Sequence, residues 1–79
     1  MLVELTEYLV KSLVKDPNSV SVKEIVDDEF ITIEVLVSND EIGAVIGRNG
    51  TIANSIRTLV QAASYNNERK KVRINIDSF

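Results

Sequence analysis

The chain of 79 residues has no cysteine, no histidine and no tryptophan. Without cysteine there is no disulfide framework and no thiolate metal site. Without histidine the usual nucleophile–base pairs and the commonest zinc ligand are also missing. An enzyme built from this sequence would have to rely on carboxylates, lysines or hydroxyls alone. We therefore expect a protein that is not an enzyme and that uses no cofactor and no metal.

Aromatic residues and long apolar runs are scarce as well. The aromatic residues are Tyr8, Phe30, Tyr65 and Phe79, too few for the base-stacking platform of an RRM or an OB-fold. We expect the two tyrosines to be partly buried packing residues. No apolar run approaches the length of a membrane span, and the acidic Glu4 stands where a signal peptide needs basic residues. These features predict a cytoplasmic protein with no membrane partner.

The net charge of −3 is unevenly distributed along the chain. Residues 1–42 carry three lysines and ten acidic residues, which give −7, whereas residues 43–79 carry six basic and two acidic residues, which give +4. An acidic protein with a basic second half is the pattern expected if a local patch meets phosphate. Small domains also divide their charge in this way without binding nucleic acid, so charge alone leaves both interpretations open.

Periodicity predicts one small domain over residues 1–79 with the element order α-β-β-α-α-β. Ser38 and Glu41 have the spacing of a capping box, which predicts that the second helix starts there. The acidic turn at 27–29 is interpreted as a solvated hairpin turn, not as a cation site. The six predicted elements are a helix at 2–15, a hairpin of strands at 20–23 and 30–37, helices at 38–46 and 50–66, and a strand at 71–77.

The third predicted helix has an apolar face of Ile52, Ile56, Leu59, Val60 and Ala63, which belongs in the core. Other side chains of this helix, Arg57 and Gln61 among them, are predicted to be exposed. On the last strand, Val72, Ile74 and Ile76 are predicted to point inward.

Glycine is as scarce as the aromatic residues, and all three glycines, Gly43, Gly47 and Gly50, lie in one stretch. A phosphate loop needs four residues between its glycines and a following Gly-Lys-Ser/Thr, and a dinucleotide fingerprint needs Gly-x-Gly, so both are excluded. The Asn49-Gly50 pair is typical of a hairpin turn, but its flanks have helical periodicity. What remains is a helix–Gly-x-x-Gly–helix unit.

In such a unit the start of the third helix faces outward beside Arg48. Its unpaired N–H groups and positive dipole end favour an anion. Because glycine adopts positive φ without steric cost and has no Cβ, the loop can approach a ligand with its main chain. A plain connection between helices that happens to use two glycines remains the alternative.

The segment Val45-Ile46-Gly47-Arg48-Asn49-Gly50-Thr51-Ile52 resembles the signature of the KH domain, (I/V)-I-G-x-x-G-x-x-I. The element order resembles the type II form of that fold, an α+β fold whose three-stranded sheet is covered on one face by three helices. In length the chain is similar to the small bacterial single-KH proteins of the KhpA type. The resemblance covers the whole chain.

The resemblance implies a non-catalytic RNA-binding protein, such as an RNA chaperone or post-transcriptional regulator, that holds single-stranded RNA in a narrow groove. Gly47 and Gly50 would let phosphates approach the main chain, and Arg48 and Asn49 would face them. Thr51 would add a hydroxyl. The opposite wall should come from a sheet strand. The predicted RNA-binding residues are Ile42, Gly43, Ile46, Gly47, Arg48, Asn49, Gly50 and Thr51.

KhpA-type proteins form dimers or pair with a larger KH-containing protein. The resemblance therefore also implies a homodimer, or a heterodimer with a larger KH-containing protein. The basic group Arg69, Lys70, Lys71 and Arg73 either extends the RNA path or keeps an edge strand soluble, and we favour the second. An alternative function is a protein-interaction or dimerisation module with the same fold and only vestigial RNA binding.

Overall fold

The computed structural model describes residues 2–67 and 71–79. The element order α-β-β-α-α-β is confirmed, with 3₁₀ turns at Pro17–Ser19 and Arg48–Gly50. The elements are α1 (Leu2–Lys11), β1 (Ser21–Val26), β2 (Phe30–Val37), α2 (Ile42–Ile46), α3 (Thr51–Asn67) and β3 (Lys71–Ser78).

The three strands form one mixed sheet in the order β1-β2-β3. β1 and β2 are antiparallel, with Val22 opposite Val35, as the predicted hairpin requires. β2 and β3 are parallel, with Ile33 beside Ile74, because the chain crosses over through α2 and α3 before it returns. β2 is therefore the central strand, and β3 has a free edge.

The core lies against β2. Its residues Ile31, Ile33, Val35 and Val37 alternate along the strand and are all less than 5% exposed, as the period of two along a strand predicts. The opposite face of the sheet carries exposed Lys23, Arg73 and Asn75. The helices therefore cover one face of the sheet only, and the α+β fold class is confirmed. The helical residues that complete the core are Leu2, Val10, Val45, Ile56 and Val60.

α1 ends at Lys11, four residues before the predicted end at 15. The Ser12 hydroxyl donates to the Tyr8 carbonyl at 2.6 Å, and the Leu13 N–H bonds three residues back, to Val10, at 3.0 Å. Such side-chain bonds compete with the helical ladder. Further on, the Lys15 N–H donates to Oε1 of Glu41 at 2.6 Å, so a distant carboxylate takes a donor that a longer helix would have used.

The predicted capping box is also wrong, because the Glu41 carboxylate bonds to the backbone after α1 and not to its own helix. α2 begins at Ile42, its N-cap is Glu41, and no side chain caps it. The Glu41 carboxylate binds the linker after α1, where it also accepts the Asp16 N–H at 3.4 Å, and residues 39–41 form a turn instead of helix. A tertiary contact has replaced the local one, and α2 is reduced to five residues.

Along α3 the predicted bounds agree with the structure, but the predicted apolar face is partly wrong. Leu59 is 53% exposed, whereas Ala53 and Ser64 are buried. The two tyrosines were also predicted to be partly buried, and they are 71% (Tyr8) and 89% (Tyr65) exposed. The core of so small a domain is filled by aliphatic side chains, and the tyrosines lie on helix faces that point away from it.

β1 occupies residues 21–26 and not 20–23, so the hairpin is longer than predicted. Its turn is closed by Asp27, whose Oδ1 accepts the N–H groups of Glu29 at 2.9 Å and Phe30 at 2.7 Å. The Asp27 carboxylate therefore stabilises the hairpin turn. Within the described residues, no helix has the length and apolar composition needed to cross a membrane.

Candidate nucleic-acid interface

The glycine loop begins where α2 ends. Gly47 has φ 76° and ψ 176°, and its N–H donates to the Gly43 carbonyl at 2.9 Å. A Cβ at this position would lie 2.6 Å from Cγ1 of Ile52 and 2.9 Å from its Cβ and Cδ1. Both the positive φ and the lack of space require glycine here. Ile52 packs partly against the core, so the first end of the loop is fixed to the body of the domain.

The loop continues through Asn49, which has φ 56° and ψ 24°, and Gly50, with φ 75°. Asn49 is the only non-glycine residue with positive φ among the described residues, and asparagine tolerates this left-handed conformation better than most residues. The Gly50 N–H donates to the Gly47 carbonyl at 3.2 Å. Because this N–H is used within the loop, the main-chain N–H groups of the turn that can face an anion are those of Arg48 and Asn49.

α3 starts directly after the loop and is 17 residues long, which is long enough for a developed dipole at its N-terminus. The Thr51 hydroxyl donates to the Arg48 carbonyl at 2.9 Å. This bond uses the hydroxyl hydrogen within the loop. Arg48 and Asn49 are both exposed, so a cationic side chain and a carboxamide stand beside the helix N-terminus.

One side of α2 continues the surface of the loop. Val45 is fully buried, Ile42 and Ile46 are half-buried, and Gly43 is exposed. A Cβ added at Gly43 would meet no atom within 4 Å. Ile42 also packs against the core. The three predicted wall residues Ile42, Gly43 and Ile46 therefore lie between the core face of α2 and solvent, and the loop follows directly after them.

The free edge of β3 faces the other flank of α3. Arg57 Nε donates to the Ile74 carbonyl at 3.4 Å, and Gln61 Nε2 donates to the Val72 carbonyl at 3.3 Å. Moving along α3 from residue 57 to 61 thus moves back along β3 from residue 74 to 72, so the two elements run antiparallel. The glycine loop, before the first turn of α3, lies toward the Ser78 end of β3.

Arg57 is the functional candidate that the sequence interpretation missed. It was predicted to be exposed, but it is half-buried and bonds both to β3 and, through Nη1, to Oδ1 of Asn54 at 3.2 Å. The signal in the sequence is weak: two polar residues with long side chains, Arg57 and Gln61, stand four apart on one flank of the helix. Only the position of β3 in the fold shows that this flank contacts the sheet.

Of the basic group after α3, Arg69 and Lys70 lie outside the described residues. The guanidinium of Arg73 lies 4.0 Å from the centre of the Phe30 ring, and its Nη2 donates to Oγ1 of Thr32 at 3.3 Å. Arg73 is therefore held on the open face of the sheet by a cation–π contact. Lys71 is exposed at the start of β3.

A cavity of about 610 Å³ lies away from the loop, between the linker after α1 and the start of α2. Its wall includes Asp16, Asp40 and Glu41, with Lys15 as the only basic residue. This wall has the wrong sign of charge for phosphate, so the concavity is not the counterpart of the anion-binding loop.

Comparison with known proteins places the sequence beside one family. Residues 3–76 match the family described as KhpA/KhpB, KH domain. The chain is 47% identical over 73 residues to the RNA-binding protein KhpA of Clostridium perfringens, covering 92% of this chain and 96% of that protein. It is 41% identical over 73 residues to the RNA-binding protein KhpA of Listeria monocytogenes, covering 92% of this chain and 95% of that protein.

Among solved structures, the fold is similar to Era in complex with MgGDPNP and nucleotides 1506–1542 of 16S ribosomal RNA. The TM-score is 0.75 at 15% sequence identity, and the match covers 99% of this chain and 30% of that one. Aquifex aeolicus Era bound to GDP and AlF4⁻ gives the same values. At this identity the likeness concerns the fold alone.

Proposed function

The chain belongs to the KhpA/KhpB family of KH domains, and from this premise we propose that it is a non-catalytic protein that binds single-stranded RNA. The observation that carries the proposal is the backbone of the loop, where Gly47, Asn49 and Gly50 all have positive φ beside the N-terminus of a 17-residue helix. This is a site for the phosphates of an extended strand. Residues 1–79 act as a single KH domain.

In this proposal the loop binds the RNA backbone. Arg48 supplies the charge that pairs with phosphate, and Asn49 supplies a hydrogen-bonding carboxamide. Gly50 leaves the main chain open, since a Cβ there would meet no protein atom within 4 Å. Thr51 has its hydroxyl hydrogen bonded to Arg48 O, so its main task is to keep the loop closed.

The bases would lie between α2 and the edge of β3. On the α2 side, Gly43 and Ile46 offer a smooth, mostly aliphatic surface. On the β3 side, Arg57 adds a cation whose guanidinium is already oriented by Ile74 O and Asn54. A KH groove of this kind holds roughly four nucleotides. An aliphatic groove of this kind needs no stacking aromatic.

Binding by one such groove should be weak and only moderately dependent on salt. If two or three phosphates are neutralised, the slope of log K against log salt is about −1.5 to −2 for a single strand. A titration of labelled RNA over a range of salt concentrations measures this slope. A much steeper slope would mean that the basic residues after α3 also bind phosphate.

Weak binding by a single groove motivates the second part of the proposal, which is that the chain acts as a homodimer or as a heterodimer with a larger KH-containing protein. Joining two grooves raises the effective concentration of the second without any new RNA contact. Leu59 supports an interaction surface on α3, because it is a large aliphatic side chain that the fold leaves 53% exposed. As part of the same proposal, the protein acts in the cytoplasm as an RNA chaperone or post-transcriptional regulator, roles that need RNA binding and no catalysis.

Size-exclusion chromatography with light scattering tests the pairing. The variant Leu59→Asp should shift a dimer toward monomer, whereas Tyr8→Asp on α1 serves as the matched control. If both variants and the parent protein have the mass of a monomer at high concentration, homodimer formation is wrong and only a heterodimer remains.

The double variant Arg48→Asp/Asn49→Asp tests the loop. Circular dichroism should show an unchanged fold, because both side chains are exposed, and binding to a labelled single-stranded RNA should be lost. A matched control is Lys23→Asp/Asn18→Asp, which makes the same change in net charge on the side of the domain that carries β1. If both double variants bind RNA as the parent does, the loop is not the RNA clamp and the module functions through protein contacts instead.

A further inference from the structure

The loop contains a dipeptide with its own chemistry. Asn49-Gly50 is the only Asn-Gly pair in the sequence. In such a pair the glycine main-chain nitrogen can attack the side-chain carbonyl carbon of asparagine, because glycine has no Cβ to obstruct the approach. Asn49 is exposed, and among the described residues its carboxamide has no hydrogen-bond partner. The reacting groups are therefore adjacent, and the asparagine side chain is open to water.

The closed loop restrains this reaction. Ring closure requires the Gly50 nitrogen to lie on the same side of the Cα–C bond as the Asn49 Cβ, whereas the observed ψ of 24° turns it to the other side. The same nitrogen is held by its bond to the Gly47 carbonyl at 3.2 Å. The Thr51 hydroxyl, bonded to Arg48 O at 2.9 Å, closes the loop a second time. Attack is possible only after the loop opens.

We propose that Asn49 is a deamidation site gated by the glycine loop, and that its conversion switches off the proposed RNA clamp. In the open loop the Gly50 nitrogen loses its proton and bonds to Cγ of Asn49. The bond from Cγ to the side-chain nitrogen breaks, and ammonia leaves with that proton. Water then opens the cyclic imide at either carbonyl and gives aspartate or isoaspartate. The net change is one ammonia lost and one water gained, with no oxidation or reduction.

The consequence for binding rests on the proposed function. A carboxylate at position 49 stands beside Arg48 and faces the phosphates, and the isoaspartate form also lengthens the main chain of the loop by one atom. A like charge about 4 Å from a phosphate in water weakens binding about fivefold or more. RNA bound to the closed loop should in turn slow the conversion, because it removes the open form from which attack occurs.

The experiment follows the conversion by mass spectrometry of digests from the folded protein kept in a mildly alkaline buffer. Parallel samples contain saturating single-stranded oligouridine or enough urea to unfold the chain. Asn18 and Asn54, which precede serines, serve as internal references. We expect conversion at Asn49 to exceed that at both references, to be fastest in urea and to be slowest with RNA. No conversion at Asn49 in the folded protein, while it proceeds in urea, would overturn the proposal.

Binding of the converted fraction is measured beside two variants. Asn49→Asp should bind oligouridine as weakly as the converted protein, whereas Asn49→Gln should resist conversion, so that its own affinity stays constant over the incubation in which the affinity of the parent falls. Equal binding by the parent, the converted protein and Asn49→Asp would overturn the switch. If Arg48→Asp still weakens binding in that case, the RNA clamp stands and only the inference about Asn49 is wrong.

Discussion

The two ends of the glycine loop have nearly the same φ angle and very different surroundings. Gly47 and Gly50 have φ of 76° and 75°, so either would disfavour a side chain. At Gly47 an added Cβ would collide with Ile52, whereas at Gly50 it would meet no atom within 4 Å. Both packing and conformation require glycine at position 47, whereas at position 50 only the positive φ favours it and the surface is open.

The difference indicates how the loop is built. Its first end is packed against Ile52 at the base of α3, and its second end is open at the surface. A loop that is packed against the domain at one end and uncovered at the other can present a defined main chain to a ligand. If the two glycines differ in this way, substitution of Gly47 should change the stability of the domain more than substitution of Gly50.

Gly47→Ala should destabilise the domain by about 2–6 kcal/mol. The backbone of Gly47, with φ 76° and ψ 176°, lies in a region that is essentially restricted to glycine and contributes about 1–3 kcal/mol. Forcing a methyl group against Ile52 contributes about 1–3 kcal/mol. Urea denaturation followed by circular dichroism measures the loss. A loss no larger than that of Gly50→Ala would mean that the contact with Ile52 relaxes without cost and that the two ends are alike.

Combining Gly47→Ala with Ile52→Ala should recover part of that loss. The shortened side chain removes Cγ1 and Cδ1, two of the three atoms that the new Cβ would overlap, but leaves the positive φ. In a double-mutant cycle from denaturation midpoints, the coupling energy should be about 1–2 kcal/mol, within the range for residues in contact. Zero coupling would assign the whole effect of Gly47 to backbone conformation.

Gly50→Ala should cost only about 1–2 kcal/mol of stability, from the positive φ alone. The loss of RNA affinity should be larger than the loss of stability, because the new methyl group faces solvent where a phosphate is proposed to approach. Fluorescence anisotropy with labelled single-stranded RNA, at a temperature where the variant is folded, measures the affinity. Unchanged affinity would show that the RNA backbone does not approach the main chain at this residue.

Gly43→Ala has the smallest expected effect on stability and the opposite sign. Alanine should stabilise α2 by about 0.5–1 kcal/mol, because the new Cβ meets no protein atom within 4 Å. RNA binding should nevertheless weaken, because the methyl group narrows the proposed groove. Ala44→Gly is the matched control on the adjacent exposed position, and it should lower stability by a similar amount while binding stays unchanged.

The fold was largely predictable because its strands and its longest helix have strong periodic patterns. The alternation of Ile31, Ile33 and Val35 predicted the central strand, and the pattern from Ile52 to Ala63 predicted α3. The errors fall where a distant group replaces a local one. Glu41 was expected to cap its own helix, but its carboxylate binds the backbone after α1, and a motif of four residues holds no information about that competitor.

The candidate site shows the same division. The spacing of the glycines, the cation between them and the helix that follows could be predicted from the residues alone. The role of Arg57 could not, because it depends on β3 returning parallel to β2 and presenting a free edge to one flank of α3. Leu59 was wrongly assigned to the core for a related reason. Hydrophobic periodicity defines the apolar face of a helix, but it does not show how much of that face the rest of a small domain can bury.

The sequence by itself determined the order of elements, the loop with its positive-φ residues and the uneven charge, because each arises from residues close together in the chain. Only the tertiary structure decided where α1 ends and where α2 begins, which flank of α3 meets the sheet, and that Gly47 is packed against Ile52 while Gly50 is open. Those outcomes depend on which groups compete in space for the same donors and the same volume. Two glycines that are alike along the chain therefore perform different tasks in the folded protein.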